Sequence, residues 1–212
     1  MVKCNSVLLA SGGMDSTTLA FWLEKQNLSY IPLFIDYGQH CAQKELDTLK
    51  KVLPSASVSS LECIDIKGVF KYSKSRFITP ANLWEEKITA EDLYIPYRNI
   101  LLLSIGASFA QTLEIEMVYS AFINSNHAKE IDCSNDFFNN VEHILSEYGS
   151  VKIEMPFRYF SKYQVAKLGI ELKVPIGSTF SCQASAEIPC GACPNCVDRL
   201  NALKMLEDEL YQ

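Results

Sequence analysis

Two groups of residues in this chain have types and spacing suited to chemistry. The first is Ser11-Gly12-Gly13-Met14-Asp15-Ser16-Thr17-Thr18. Adjacent glycines let a backbone turn sharply and come close to a ligand, and the amides of a following first helical turn present the positive end of the helix dipole. Such a turn suits a phosphate, although in a plainer role Gly-Gly would merely relieve strain while Asp15 or Ser16 capped the helix. The second group is Cys182-x7-Cys190-x2-Cys193-x2-Cys196. Four thiolates complete a tetrahedral zinc shell with no open position, so the expected role is structural. A [4Fe–4S] cluster uses the same ligands and stays open as an alternative.

Three further places carry polar groups suited to a site. Asp36-Tyr37-Gly38-Gln39-His40 follows an apolar run, Arg98 opens a long apolar segment, and Lys162 sits just inside a capping-box pattern. A guanidinium such as that of Arg98 offers paired donors to phosphate or carboxylate. Lys162 is a candidate for phosphate binding or catalysis, against the plainer role of a solvated helix-start lysine.

The elements that must position these residues read as an alternating pattern. Val7 to Ala10 is short enough for a buried parallel strand, and helical rhythm resumes at Leu19, Phe21, Trp22 and Leu23 and runs to about Gln26. Tyr30 to Asp36 reads as a second strand, which makes a β-α-β unit with a right-handed crossover. The carboxyl end of that strand is where open α/β sheets place ligands, which favours function for Asp36, Gln39 and His40. Ser57 to Ile66 reads as a third strand, Met117 to Ala121 as a fourth and Val151 to Met155 as a fifth. Between them fall helices through Glu45 to Val52, Ile100 to Leu113, Phe137 to Leu145, and Val165 to Leu172, the last opened by Ser161 and Gln164. Lys67 to Tyr94 follows no period and reads as a lid over the site in preference to a nucleic-acid surface.

The expected fold is therefore α/β: a Rossmann-like sheet of five parallel strands with a four-cysteine zinc-binding appendage at its C-terminal end. Residues 1–177 would form the nucleotide domain and 178–212 the appendage with its closing helix. With 212 residues, 48% hydrophobic and 21% charged, composition is that of an ordinary globular chain. A net charge of −6 argues against a dedicated nucleic-acid binder. No apolar run approaches a membrane span, and Met1 to Asn5 leads into the first strand without a signal-peptide pattern, so the reading is a cytoplasmic protein whose eight cysteines stay reduced.

The glycine turn lacks the Lys-Ser/Thr ending of a Walker loop and the spacing of a dinucleotide fingerprint. Its wording, Ser-Gly-Gly-x-Asp-Ser one residue after the first strand, resembles the PP-loop of the N-type ATP pyrophosphatases. Taken with Asp36 to His40 and Glu45, Pro96, Arg98-Asn99, Asp132-Cys133, Phe137, the four cysteines and Arg199, the chain resembles the 7-cyano-7-deazaguanine synthase family of queuosine biosynthesis from Ser11 to Arg199. The resemblance implies ATP, Mg2+ and Zn2+ as cofactors, with 7-carboxy-7-deazaguanine and ammonia as substrates of a C–N ligase. It implies ATP binding by Ala10, Ser11, Gly12, Gly13, Met14, Asp15, Ser16, Thr17, Thr18, Leu19 and Ala20, and metal binding by Cys182, Cys190, Cys193 and Cys196. Asp36, Gln39 and His40 are expected beside the nucleotide, Asp15, Ser16, Arg98 and Lys162 in catalysis, and the protein is expected to be a homodimer.

The likeness is uneven. Tyr97 stands where the family has glycine, Ala121 and Asn126 where it has Gly and Asp, Glu130-Ile131 where it has Tyr-Pro, and Gln183 where it has tyrosine. Because the changes gather on the substrate side, one alternative is an offshoot that joins the activated deazaguanine acid to a protein amine, for instance in a defence system. A second is an ATP-dependent nucleic-acid sulfur transferase with an iron–sulfur cluster.

Overall fold

The computed structural model describes residues 4–82, 85–123, 131–185 and 187–210. Strand β1 (Ser6–Leu9) leads through the glycine turn into α1 (Met14–Lys25), and β2 (Tyr30–Asp36) follows. Next come α2 (Ala42–Val52), the single turn α3 (Ser55–Val58), β3 (Glu62–Asp65), and two more short turns, α4 (Lys67–Phe70) and α5 (Ala90–Leu93). The long helix α6 (Arg98–Thr112) precedes β4 (Met117–Tyr119), then α7 (Asn135–Tyr148), β5 (Lys152–Glu154), α8 (Lys162–Glu171) and α9 (Pro194–Leu210).

The five strands are all parallel and ordered β3-β2-β1-β4-β5. Strand β1 is central, and the chain order reverses beside it, between β1 and β4. In such a sheet the crevice outside the carboxyl ends of those strands is the natural ligand position, and the glycine turn opens into it.

Alternation along the strands feeds two cores. Val7 of β1 and Leu33 and Ile35 of β2 face Leu103, Ala107, Phe138 and Val141 of α6 and α7. Leu8 and Phe34 face the other way, onto Leu19 and Leu23 of α1, Leu49 of α2 and Val165 of α8. The C-terminal region closes two further clusters: Ala202 and Leu206 pack with Met14 and Ala166, while Phe180, Cys182 and Cys193 pack with Tyr37, Phe70 and Phe77.

Expected caps form as the sequence suggests. Ser134 accepts from the Phe137 amide at 3.1 Å, and Ser161 and Gln164 form a capping box at the start of α8. The third strand is shorter than its periodicity suggested: after Pro54 the backbone closes into α3, with the Ser57 amide donating to the Pro54 carbonyl at 2.9 Å, and pairing with β2 starts at Glu62. The segment from Lys67 to Tyr94 is tied down by buried Phe70, Phe77, Ile88 and Leu93, so its described residues form a wall of the site. Asn126 and Glu130 lie outside the described residues. Among the described residues no helix is long and apolar enough to cross a membrane.

Candidate active site and metal centre

The glycine turn is shaped by what surrounds it. Gly12 has φ +74, and a β-carbon there would lie 2.8 Å from both the Glu45 carbonyl oxygen and the Leu49 nitrogen, so neither strain nor space permits a side chain. Gly13 is the N-cap of α1 without any side-chain cap, which leaves first-turn amides for a ligand. The Ser16 hydroxyl stays inside the turn, accepting from the Ser11 amide at 3.2 Å and lying 3.2 Å from the Ser11 hydroxyl.

Two adjoining cavities open above this turn. The inner lobe, about 270 Å3, is lined by Ala10, Ser11, Gly13 and Ser16 at its floor and by Tyr37, Gln39 and Glu45 at its side. The outer lobe, about 670 Å3, is lined by Lys162, Asp132, Cys133 and Tyr159 among others. Asp15, Phe77, Arg98, Asn99 and Gln183 line both and mark where they meet. The four residues expected in catalysis, Asp15, Ser16, Arg98 and Lys162, therefore all face this double cavity.

Asp15 and Lys162, 147 residues apart in the chain, form an ion pair with Oδ2 to Nζ at 2.5 Å. Asp15 Oδ1 is buried without a hydrogen-bond partner among the described residues, on a residue that lines both lobes. Arg98 stacks over Phe77 at 4.4 Å and donates through Nε to Asn99 Oδ1 at 3.1 Å, and it makes no ion pair among the described residues. Its planar charge is thus held in place and available to an anion. Asn99 is fully buried and donates through Nδ2 to the Asp132 carbonyl at 3.0 Å, which ties α6 to the turn before α7.

Not every expected ligand-side residue faces the cavity. Met14, Leu19 and Ala20 are core residues, and the hydroxyls of Thr17 and Thr18 donate back to the carbonyls of Gly13 and Met14, both at 2.8 Å. Asp36 accepts from the Gly38 amide at 3.0 Å and pairs with Lys67 at 3.0 Å, lining neither lobe. His40 is also displaced from both lobes: its Nε2 donates to the Gln183 carbonyl at 2.8 Å, pinning the loop after β2 to the cysteine region. Gln39 does line the inner lobe, locked by the Tyr37 amide donating to Oε1 at 2.9 Å and by its own donation to Glu45 Oε2 at 3.0 Å. Tyr97 has φ 63 at the N-cap of α6, a left-handed conformation that suits glycine, and its side chain is 79% exposed and lines neither lobe. Phe77 lines the site although nothing local in the sequence marks it, while Tyr37 belongs to the polar group after the second strand and Gln183 stands where the chain departs from the family pattern.

Electrostatics single out Glu45 and Tyr37. Burial pushes the Glu45 carboxyl up to about 7, against the Gln39 hydrogen bond and the Arg98 charge, which pull it down. Burial likewise raises the Tyr37 phenol, so it stays a neutral donor.

The four cysteine sulfurs lie within 4.8 Å of one another, with Cys182, Cys193 and Cys196 buried. A tetrahedral zinc with bonds of about 2.3 Å spaces its sulfurs by about 3.8 Å, so the cluster fits a zinc site with little movement. Backbone amides already point at the sulfurs: Cys190 N donates to Cys182 Sγ at 3.4 Å, and Cys193 N to Cys190 Sγ at 3.2 Å. Hydrogen bonds among the sulfurs lower the Cys182 thiol and raise those of Cys193 and Cys196, so the cluster shares its protons. Arg199, one turn on from Cys196, donates to the Thr179 hydroxyl and to the Ile176 carbonyl, both at 2.5 Å.

A parallel 3-2-1-4-5 sheet, a capless helix behind a double-glycine turn and a closed four-thiolate metal site define the class: an ATP-dependent ligase of the PP-loop pyrophosphatase type. The family described as queuosine biosynthesis protein QueC matches residues 5–207. Among curated relatives, the 7-cyano-7-deazaguanine synthase of Picrophilus torridus is 32% identical over 92% of this chain and 85% of its own length. That of Campylobacter hominis is 28% identical over 94% of each. The solved structure of a 4-thiouridine synthetase–RNA complex with bound ATP is similar in fold, with TM-score 0.55 and 15% identity over 96% of this chain and 52% of that one. The chain belongs to the QueC family.

Proposed function

We propose that this protein is an ATP-dependent 7-cyano-7-deazaguanine synthase. It transfers AMP to the carboxylate of 7-carboxy-7-deazaguanine with release of pyrophosphate, lets ammonia displace AMP to give the amide, and activates the amide again so that water is lost and the nitrile forms. The observation that carries this reading is the meeting of two cavity lobes at Asp15, Arg98 and Asn99, with the glycine turn under the inner one. Nucleotide in the inner lobe and carboxylate in the outer would react where the lobes join.

Each residue has a part in this reading. First-turn amides of α1, with Ser11 and Gly13, hold the phosphates. Arg98 offsets charge as pyrophosphate leaves. Lys162 steers the anionic carboxylate and holds Asp15 in place. Magnesium, when bound with the nucleotide, would supply further neutralisation of phosphate charge, and Asp15, whose Oδ1 has no partner among the described residues, is the carboxylate suited to it. Zinc held by Cys182, Cys190, Cys193 and Cys196 is structural and fastens residues 178–212 onto the nucleotide domain. Zinc with four thiolates carries a formal charge of about −2, which the amide donors and Arg199 are placed to offset.

Incubation with ATP, magnesium and 7-carboxy-7-deazaguanine, with and without ammonium, tests the reading by mass analysis of the products. AMP and pyrophosphate that depend on the carboxylate, with amide and nitrile that depend on ammonium, are expected. A second reading, delivery of the activated acid to a protein amine, is favoured by the rings of Tyr94 and Tyr159, 40% and 74% exposed, which line the outer lobe and reach solvent. In the same assay it would give AMP with a mass gain on a polypeptide and no nitrile.

A further inference from the structure

Glu45 has surroundings that the adenylation chemistry alone leaves without a purpose. It lies in the first turns of α2 and lines the inner lobe beside Tyr37 and Arg98. Its Oε2 accepts from Gln39 Nε2 at 3.0 Å, and Gln39 is itself fixed by the Tyr37 amide and the Ile35 carbonyl, so this carboxylate oxygen cannot swing away. The other oxygen, Oε1, receives no hydrogen bond among the described residues and Glu45 forms no ion pair among them. The groups facing it are Arg98 from α6, Asp36 at the end of β2, and Tyr37 and Gln39 from the following loop. A carboxylate on the wall of a nucleotide lobe repels phosphate, so it is a poor choice for a wall that meets only ATP. It is a good choice for a small cation.

We infer that Glu45 binds the ammonium ion through Oε1 and takes one of its protons, making ammonia in the inner lobe beside Arg98, which borders the place where the lobes join. The inference rests on the activity proposed above. An N–H proton passes to Glu45 Oε1 and the freed nitrogen lone pair forms the C–N bond. The acyl C–O bond to phosphate breaks with its electron pair leaving on AMP, and the second nitrogen proton departs with the phosphate oxygen. Arg98 contributes by disfavouring a second cation beside it, which lowers the cost of removing the proton. The raised affinity of Glu45 for a proton, near 7, places it close to neutral pH, where a general base is most effective.

The test is Glu45→Gln, which keeps the shape and an oxygen to accept from Gln39. Three rates are measured on the full-length, metal-loaded protein: pyrophosphate exchange dependent on the deazaguanine carboxylate, amide formation from ammonium, and hydroxamate formation from hydroxylamine, which is already neutral near pH 7. The ratio of amide to hydroxamate formation should fall about a hundredfold relative to wild type, with exchange measured alongside to register any loss in the first step. Raising the pH, which supplies free ammonia, should recover much of the loss. The inference is overturned if amide formation is unchanged, or if all three rates fall together, since Glu45 would then serve the fold or the first step. A wild-type protein without carboxylate-dependent exchange would remove the proposed activity, and the inference with it.

Discussion

The Glu45→Gln change also bears on stability, with a sign opposite to its effect on amide formation. The folded carboxyl titrates at about 7 against an ordinary 4.5, chiefly through burial, with Asp36 adding to the rise and the Gln39 hydrogen bond and Arg98 opposing it. The fold therefore prefers the protonated form: the contribution to stability is whole below about pH 4.5 and is lost as the pH rises through about 7. At about 1.4 kcal/mol per unit, a rise of roughly 2.5 units amounts to about 3 kcal/mol of strain at pH 8. Glutamine cannot ionise and escapes it. Urea unfolding of both proteins should show Glu45→Gln more stable at pH 8 by about 3 kcal/mol and by no more than about 1 at pH 5. A stability gap that stays flat between those two pH values would refute the reasoning, because the carboxyl would then titrate alike folded and unfolded.

Asp15→Ala should leave the melting temperature within a few degrees while cutting pyrophosphate release at least about a hundredfold, read by coupled phosphate assay, since Asp15 faces the cavity and belongs to no core. Cys193→Ser, or chelation, should remove about one equivalent of metal by elemental analysis and lower the melting temperature by several degrees, because the cluster is built into a buried core. Tyr97→Gly should change nitrile formation little, its ring being exposed, and should move stability by no more than about 1 kcal/mol toward the stable side, as relief of the left-handed φ of 63 slightly exceeds the added freedom of the unfolded chain.

What could be read from the sequence was what is local in the chain. The strand into Ala10, the glycine turn, the caps at Ser134 and Ser161 and the spacing of Cys190, Cys193 and Cys196 each involve residues a few positions apart, and each formed. Periodicity misjudged the stretch after Pro54, where a turn consumed residues that alternate like a strand. How the expected Arg98 and Gln183 meet was hidden for another reason: Phe77, the Arg98-Asn99 pair and Gln183 lie on separate segments, which the fold carries to one rim. His40 shows the converse. Its position after β2 looked ligand-facing, yet the Gln183 carbonyl captures its ring and turns it from the cavity. Tyr97 looked like a change to the pocket, but φ at that cap directs the ring to solvent.

The Phe180 amide donates to the Gly12 carbonyl at 3.0 Å, and the Phe180 carbonyl and Ser181 hydroxyl stand just outside Gly13. The nucleotide loop is therefore finished by residues translated some 170 positions later. A chain still in synthesis holds the glycine turn without its backing, and without the rim that Gln183 contributes. If the metal is structural as proposed, assembly of the cysteine site would be the step that completes the catalyst. Shortage of metal during translation would thus appear as inactive enzyme of near-normal secondary structure, rather than as enzyme with a weakened affinity for its substrate.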